Sequence, residues 1–271
     1  TSYSASQKFR AQVFPNDPYG RFTVAEDFDK LDRAALIQQY AATWASQKPV
    51  IFLSGKISEE QIAYLDQTLG KIKYTSSELP IPTLSTASNP IKIREEKDGS
   101  VQSSIRFGLP AISRTHPDYF KFSLMNTVLG GYFGSRLQKN IREDKGFTYG
   151  ISSSLAPYPR GGYWVVGTDV NGENVDATLA EIKKEITILQ TELIPQDELE
   201  IVQNYLMGSF TGELTQAFDI AEKVRVIQLN GLAPDFYDQF QDQILEIQAQ
   251  DIRDMAAKYL NLDLMHEVIV G

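Results

Sequence analysis

Two residues, Arg142 and Tyr149, have the types and the spacing to hold a bound carbonyl group. The sequence predicts a short helix over 135–145 that ends at Gly146, so Arg142 lies in its last turn. Tyr149 then enters a predicted strand, where it shares a face with Ile151 because side chains alternate between the two faces. A guanidinium and a phenol both donate hydrogen bonds, which suits an oxygen that gains negative charge during a reaction. The neighbouring sequence contains no nucleophile, metal cluster or phosphate loop, so the pair predicts only half of an active site.

The same two residues also have purely structural explanations. A cation near a helix C-terminus is favoured by the helix macrodipole, and tyrosine is common in strands. The glycine pair Gly130–Gly131 before the helix lacks the Lys-Ser/Thr ending of a phosphate loop, so it predicts a tight turn between helices. The two histidines, His116 and His266, are interpreted as residues that begin a helix and a strand rather than as metal ligands.

The composition excludes several other classes of function. The chain has 271 residues, 42% of them apolar, which is enough for two packed domains. Its net charge is −9 and its basic residues are scattered, which argues against nucleic acid and against an anionic membrane surface as partners. The absence of cysteine excludes disulfides and thiolate chemistry, but it leaves both cytoplasm and periplasm open. No apolar run approaches the ~20 residues that cross a bilayer. Because the chain begins with Thr1 and not with methionine, we expect residues to be missing upstream.

The order of predicted elements divides the chain into two α/β parts. In the first part, 1–75, a polar lead-in precedes helices over 31–46 and 58–70, and Pro49–Gly55 between them is predicted to be a buried strand. Residues 76–90 are rich in Ser, Thr and Pro and are interpreted as a linker. The second part, 91–271, has predicted strands over 91–95, 101–109, 149–157 and 161–170, and helices over 117–129, 175–193, 195–214, 217–230, 236–245 and 250–260.

The ends of the two parts share one pattern. Asp32–Gly55 and Asp251–Gly271 both consist of a predicted helix, a short link and an apolar strand that ends in glycine. The strands are VIFLSG in the first part and HEVIVG in the second. Such a pattern is common in α/β proteins, but here it also predicts that the two parts are copies of one repeat, of which the first is incomplete.

Two stretches carry a resemblance to a known family. The sequence HPDYFKFSLMNTVLGGYFGSRLQKNIREDKGFTYGISS, at 116–153, resembles the second-repeat signature of the M16 zinc peptidases, the pitrilysin, insulinase and mitochondrial-processing-peptidase types. The stretch that begins with NDPYG, at 16–20, is similar to the back half of the family's first repeat. The resemblance covers nearly the whole chain, from about Asn16 to Gly271.

The resemblance implies a fold and a mode of action. The implied fold is α/β, with repeats that are each an antiparallel sheet backed by helices and that close like a clamshell around a peptide substrate. In active members, the first repeat binds zinc through an inverted His-x-x-Glu-His motif, and the zinc activates a water molecule. The second repeat supplies an arginine and a tyrosine that hold the substrate and stabilise the oxyanion, and Arg142 and Tyr149 match those two positions.

This sequence departs from the family pattern in its metal ligands. Neither His116 nor His266 begins a His-x-x-Glu-His motif, so no zinc is expected on this chain. The resemblance places the zinc in a missing first-repeat segment or in a zinc-bearing M16 partner chain. Two hypotheses follow: the chain is the substrate-binding C-terminal portion of a zinc endopeptidase and is inactive alone, or it is a non-catalytic peptide-binding or assembly subunit. A homodimer is a further possible assembly.

Overall fold

The computed structural model describes residues 1–74 and 83–271, so residues 76–82 of the predicted linker at 76–90 lie outside the described part. The helices are α1 (Ser2–Val13), α2 (Ala25–Phe28), α3 (Arg33–Ala42), α4 (Glu59–Thr68), α5 (Tyr119–Asn126), α6 (Val175–Thr191), α7 (Gln196–Glu213), α8 (Ala217–Asn230), α9 (Phe240–Glu246) and α10 (Ala249–Tyr259). The strands are β1 (Lys92–Glu95), β2 (Gln102–Ala111), β3 (Thr148–Tyr158), β4 (Gly161–Asn171) and β5 (His266–Val270).

The strands form one sheet in the order β1-β5-β2-β4-β3. The pairs β5–β2, β2–β4 and β4–β3 are antiparallel, and β1–β5 is parallel. The parallel pair has a simple cause: β1 and β2 follow each other through a short turn and run in opposite directions, so a strand inserted between them must be parallel to one of them. The α/β prediction, with a sheet backed by helices, is confirmed, and the sheet is mixed rather than purely antiparallel.

The main core lies between the sheet and the helices of the second part. Ile105 and Phe107 of β2 and Trp164 of β4 are almost fully buried there against side chains of α5, α6 and α10. The Trp164 Nε1 donates to Asn126 Oδ1 at 2.8 Å, so the buried indole N–H has a partner. This packing fixes the end of α5 against β3 and β4, next to the segment that carries Arg142.

Helix α1 covers part of the opposite face of the sheet, and the sequence analysis did not predict it. Ala5, Phe9 and Val13, spaced four residues apart on one helix face, are buried against Val268 and other side chains of the sheet. That spacing was the available signal, but the helix is otherwise polar. A Cβ at Gly108 would clash with the Trp164 carbonyl oxygen of β4 and would meet Phe9 Cζ of α1 at 3.0 Å, so this glycine accommodates the close approach of β4 and also leaves room for α1.

A buried ion pair ties the NDPYG turn to the β3–β4 hairpin. The Asp17 carboxylate accepts from Arg160 Nη2 at 3.1 Å and from the Tyr19 N–H at 2.9 Å. Burial by itself raises the pKa of the Asp17 carboxyl, but hydrogen bonds from Tyr19, Arg160 and Ser85 outweigh burial and lower that pKa below its ordinary value. The Arg160 guanidinium also lies over the Tyr19 ring at 4.5 Å. The first twenty residues are therefore held on the sheet of the second part.

The predicted strand at Pro49–Gly55 is wrong. Residues 50–54 belong to no strand, and Ile51 and Leu53 are 46% and 44% exposed. The flanking helices α3 and α4 form where predicted, and Ser58 starts α4 with a capping box to Gln61, but neither helix has a buried residue. An apolar run becomes a buried strand only when neighbouring strands pair with it, and none does within 1–74 and 83–271.

Candidate functional site

The segment that presents Arg142 is helical with π geometry. After α5 the chain forms a π turn at Thr127–Gly131, and the predicted helix over 135–145 is π-helical at Gln138–Asp144. A side chain at Gly130 would meet the Ser153 backbone N at 2.5 Å, so this glycine lets the turn lie directly against β3. Gly146 ends the segment with φ 65°, the left-handed conformation that glycine adopts at low cost. π geometry of this kind is frequent at functional sites.

Arg142 is anchored at the start of β3. Its Nε donates to the main-chain carbonyl of Tyr149 at 3.0 Å, and its guanidinium lies over the Phe133 ring at 4.5 Å. Glu143 Oε1 lies 3.7 Å from Nη1. These contacts fix the plane of the guanidinium while about a third of the side chain stays exposed, so it can still reach a ligand.

Tyr149 points into solvent. Its side chain is 93% exposed, and its hydroxyl makes no hydrogen bond to the described residues. The prediction that Tyr149 shares a face with Ile151 is wrong, because Ile151 is buried in the core. The register between β3 and β4 shifts between Thr148 and Ile151, and such a bulge redirects one side chain.

The structure brings Arg142 and Tyr149 to one place through the backbone. The guanidinium contacts the carbonyl of Tyr149, and the phenol projects from the same residue. Tyr149 also lines a cavity of about 400 Å³ on the sheet face, whereas Arg142 is not part of that lining. Two donors of different types therefore belong to one bulged strand end, with the Arg142 guanidinium at the Tyr149 carbonyl and the phenol in solvent.

Neither histidine is placed to hold a metal. His116 Nδ1 accepts from the Asp118 N–H at 3.1 Å near the start of α5, and His266 begins β5, as the sequence predicted. His266 is 1% exposed, and burial lowers its pKa. Within 1–74 and 83–271, no three His, Cys, Asp or Glu side chains come together as metal ligands, so the residues here do not fit a zinc site. The same described part contains no helix with the length and hydropathy to span a membrane.

A larger cavity, of about 830 Å³, lies between the Gln138–Asp144 segment, α6 and the start of α7. Four of the eight charged side chains that line it belong to ion pairs: Arg136, Glu198, Lys145 and Lys184. Arg136 donates to both oxygens of Glu198, at 2.9 and 2.7 Å, and these hydrogen bonds raise the pKa of Arg136. Lys145 and Lys184 lie 3.8 and 3.5 Å from Glu181. These ion pairs hold the Gln138–Asp144 region against α6 and α7.

Comparison with known proteins agrees with the fold and places the chain in a family. The family model described as the peptidase M16 inactive domain matches residues 30–206, more than half of the chain. The chain therefore belongs to the M16 peptidase family, and the matched model is the family's inactive domain.

The curated relatives have names of both kinds, peptidase and non-peptidase. A protein of Helicobacter pylori named "Non-peptidase homolog YmxG" is 27% identical over 76% of this chain and 48% of its own length. A Bacillus subtilis protein named "Uncharacterized zinc protease YmxG" is 24% identical over 61% of this chain and 40% of its own. The chain thus spans about half the length, or less, of these relatives.

Solved structures show the same fold. A crystal structure of a peptidase M16 inactive domain from Pseudomonas fluorescens superposes with a TM-score of 0.89, at 24% identity, over 100% of this chain and 65% of that one. A chain of Complex III2 from Candida albicans superposes with a TM-score of 0.81, at 16% identity, over 99% and 66%. The fold therefore also occurs in a multisubunit assembly.

The sequence analysis missed two charged residues at the cavity that Tyr149 lines. Arg106 of β2 and Asp169 of β4 both belong to its lining. Arg106 stands between Ile105 and Phe107, and Asp169 stands between Thr168 and Val170. A single charged residue in a strand usually indicates a solvent-facing position. Only the pairing of β2 with β4 shows that the two residues face one cavity.

Proposed function

We propose that this chain is the substrate-binding C-terminal portion of an M16-type zinc endopeptidase and does not cleave peptides alone. Arg142 and Tyr149 hold the main-chain carbonyl of a bound peptide and stabilise the negative charge that develops on its oxygen. The zinc and the general base belong to an upstream repeat or to a zinc-bearing partner chain. When bound there, the zinc would supply the activated water, while Arg142 and Tyr149 orient the peptide and stabilise the developing charge.

One observation carries the proposal: the Arg142 guanidinium contacts the main chain of Tyr149, so two side chains with hydrogen-bond donors belong to one strand end, and one of them is almost fully exposed. The Tyr149 side chain is 93% exposed, so its hydroxyl is accessible to a ligand that binds at this strand end. The Arg142 guanidinium is held by the Tyr149 carbonyl and the Phe133 ring, and this prior ordering lowers the entropy lost when a peptide binds.

The exposed apolar residues of 33–72 also support a missing partner. Segment 50–54 has the pattern of a strand but pairs with none among the described residues, and we expect it to pair once the strands of the first repeat are supplied. An upstream repeat would thus complete the first sheet and bring its zinc to the peptide that Arg142 and Tyr149 hold.

The test is peptide cleavage by the full-length protein that contains this chain. Tyr149→Phe removes only the hydroxyl, and we expect kcat to fall by about 10²-fold, the scale of losing one oxyanion donor, with a smaller change in KM. Tyr3→Phe, at a tyrosine that is 76% exposed on α1, is the matched control and should keep full activity. Unchanged turnover in Tyr149→Phe would remove Tyr149 from the mechanism.

The second candidate is a non-catalytic peptide-binding or assembly subunit, which the names of the matched model and of one relative favour. In this case Arg142 and Tyr149 serve binding only. Strand addition at the free edge of β3 is a poor mode for it, because the carbonyls of Tyr149 and Ser153 already accept from Arg142 and Asn126. A full-length protein that binds peptides but never cleaves them would support this candidate.

A further inference from the structure

The sheet face opposite the main core is only partly covered. Helix α1 packs over β2 and β5, and its Phe9 also contacts Tyr163 at the hairpin end of β4, so the open part of this face is the other end of the hairpin, near Ser152 and Gly167. The uncovered strip has small side chains: Ser152 and Ser154 on β3 and Gly167 on β4. The 400 Å³ cavity lies on this strip, with Tyr149 at one side of it. We call this cavity the trough.

Glycine within a strand often marks a place where another group must come close. Gly167 pairs with Arg106 on one side and with Ser152 on the other. A Cβ at Gly167 would lie 3.4 Å from the Arg106 Nη1, about van der Waals contact, so the missing side chain leaves the space beside the guanidinium open. Gly150 has nothing within 4 Å of where its side chain would be, so open space lies above β3 at that point.

Arg106 forms one wall of the trough and is held in place by α1. Its Nε donates to Ser6 Oγ at 3.0 Å, its Nη1 to the Ile105 carbonyl at 2.8 Å, and its Nη2 to Ser2 Oγ at 2.6 Å and weakly to the Ser2 carbonyl at 3.5 Å. A guanidinium has five N–H groups, so one of them has no acceptor within the part of the chain that the structure describes. This fixed, partly buried donor belongs to the lining of the trough.

Asp169 supplies the complementary acceptor. Its Oδ1 accepts from Ser104 Oγ, and its Oδ2 accepts from no side chain or backbone N–H of residues 1–74 and 83–271. Its negative charge also acts on Arg106 and opposes the lowering of the Arg106 pKa by burial. The two charged residues of the lining have opposite signs, so the lining offers one charged donor and one charged acceptor.

We propose that the trough is a side-chain subsite for a neutral polar residue of the bound peptide, foremost asparagine or glutamine. This inference rests on the proposed peptide-binding function and names the substrate class for it. A carboxamide offers its oxygen to Arg106 and its NH2 to Asp169, so both groups gain a partner. A carboxylate would be repelled by Asp169, and an ammonium group would be repelled by Arg106. An aliphatic side chain would leave both Arg106 and Asp169 without a hydrogen-bond partner.

The test is binding of blocked, fluorescein-labelled octapeptide pools to the chain, measured by fluorescence anisotropy. In each pool one position is fixed as Gln, Glu, Lys or Leu, and the others are degenerate. We expect at least one position at which the Gln pool binds about fivefold tighter than the other three, the effect of about one net hydrogen bond. Asp169→Asn should raise the affinity of the Glu pool to that of the Gln pool, because the repelling charge is gone while an acceptor for Ser104 remains.

A second variant fills the trough without removing any contact. Ser152→Phe places a ring on an exposed β3 position, and it should abolish the preference for Gln. Ser209→Phe, at an exposed serine of α7, is the matched control and should retain the preference for the Gln pool. The proposal is overturned if the wild-type chain shows no preference for Gln, if the preference survives both Ser152→Phe and Asp169→Asn, or if no pool binds.

Failure of the proposed function gives a different result. If Arg142→Ala and Tyr149→Phe bind every pool as tightly as the wild type, these two residues do not hold peptides. If both variants bind all pools more weakly by the same factor, and the wild type shows no preference for Gln, only the subsite proposal fails.

Discussion

Two regions of this chain share one sequence pattern and have opposite environments. In the second part, α10 leads into β5, a central strand whose five residues are all buried. In the first part, α3 leads into 50–54, where the same apolar pattern is unpaired and half-exposed. When Gly271 is aligned with Gly55, the buried Ile269 corresponds to Leu53.

The difference shows that the pattern encodes a strand only together with its neighbours. β5 lies between β1 and β2, which satisfy its backbone N–H and C=O groups on both sides. No described strand lies beside 50–54, so its backbone stays in water and its side chains stay exposed. The first region therefore contributes little to the stability of this chain, and the second contributes much.

The largest expected difference between the two regions is in the free energy of unfolding, when Ile269 and the aligned Leu53 are each replaced by alanine. Ile269→Ala should lower the free energy of unfolding by about 2–5 kcal/mol, because it leaves a cavity in the main core. Leu53→Ala should change it by less than about 0.5 kcal/mol, because Leu53 is 44% exposed. Urea unfolding of both variants measures the two values, and a comparable loss in both would show that 50–54 is packed in solution.

A smaller effect is expected from protonation of His266, which corresponds to Val50 in the first region. Burial lowers the pKa of His266 in the folded chain. Below about pH 6.5 the unfolded chain therefore binds a proton at this histidine that the folded chain does not bind. The contribution of neutral His266 to the stability of the folded chain is complete above that pH. It is lost as the pH falls toward and through the lowered pKa of the folded chain. Stability should therefore decline on acidification, as thermal unfolding across this range would show.

His266→Gln is the matched variant for this pH dependence. Glutamine can still accept the hydrogen bond that the Ile91 N–H donates to His266 Nδ1 at 3.3 Å, but it does not titrate. The decline in stability that begins near pH 6.5 should be weaker in this variant. An identical pH profile in both proteins would assign the decline to other groups.

Much of the fold followed from local signals in the sequence. Ser58 and Gly146 mark helix ends through backbone chemistry that acts within a few residues, and the structure has both ends where predicted. The strand at Pro49–Gly55 was wrong because strand formation depends on distant partners. Helix α1 was missed because its buried stripe of Ala5, Phe9 and Val13 lies within a polar segment.

The site was less predictable than the fold. The sequence could suggest that Arg142 and Tyr149 come near each other, because a helix end and a strand start are joined by a short link. It could not predict that a bulge turns Tyr149 away from the face of Ile151, since register depends on the pairing of β3 with β4. For the same reason the juxtaposition of Arg106 and Asp169 needs the paired strands.

The central claim is that a peptide binds at the Arg142–Tyr149 end of β3 and not on the exposed apolar residues of the first region. Backbone amide shifts of the isotope-labelled chain, followed by NMR during titration with the degenerate octapeptide pool, test it directly. The account predicts saturable shifts at Arg142, Tyr149 and Gly150, and none at 33–72. Shifts confined to 33–72, with the start of β3 unchanged, would contradict it.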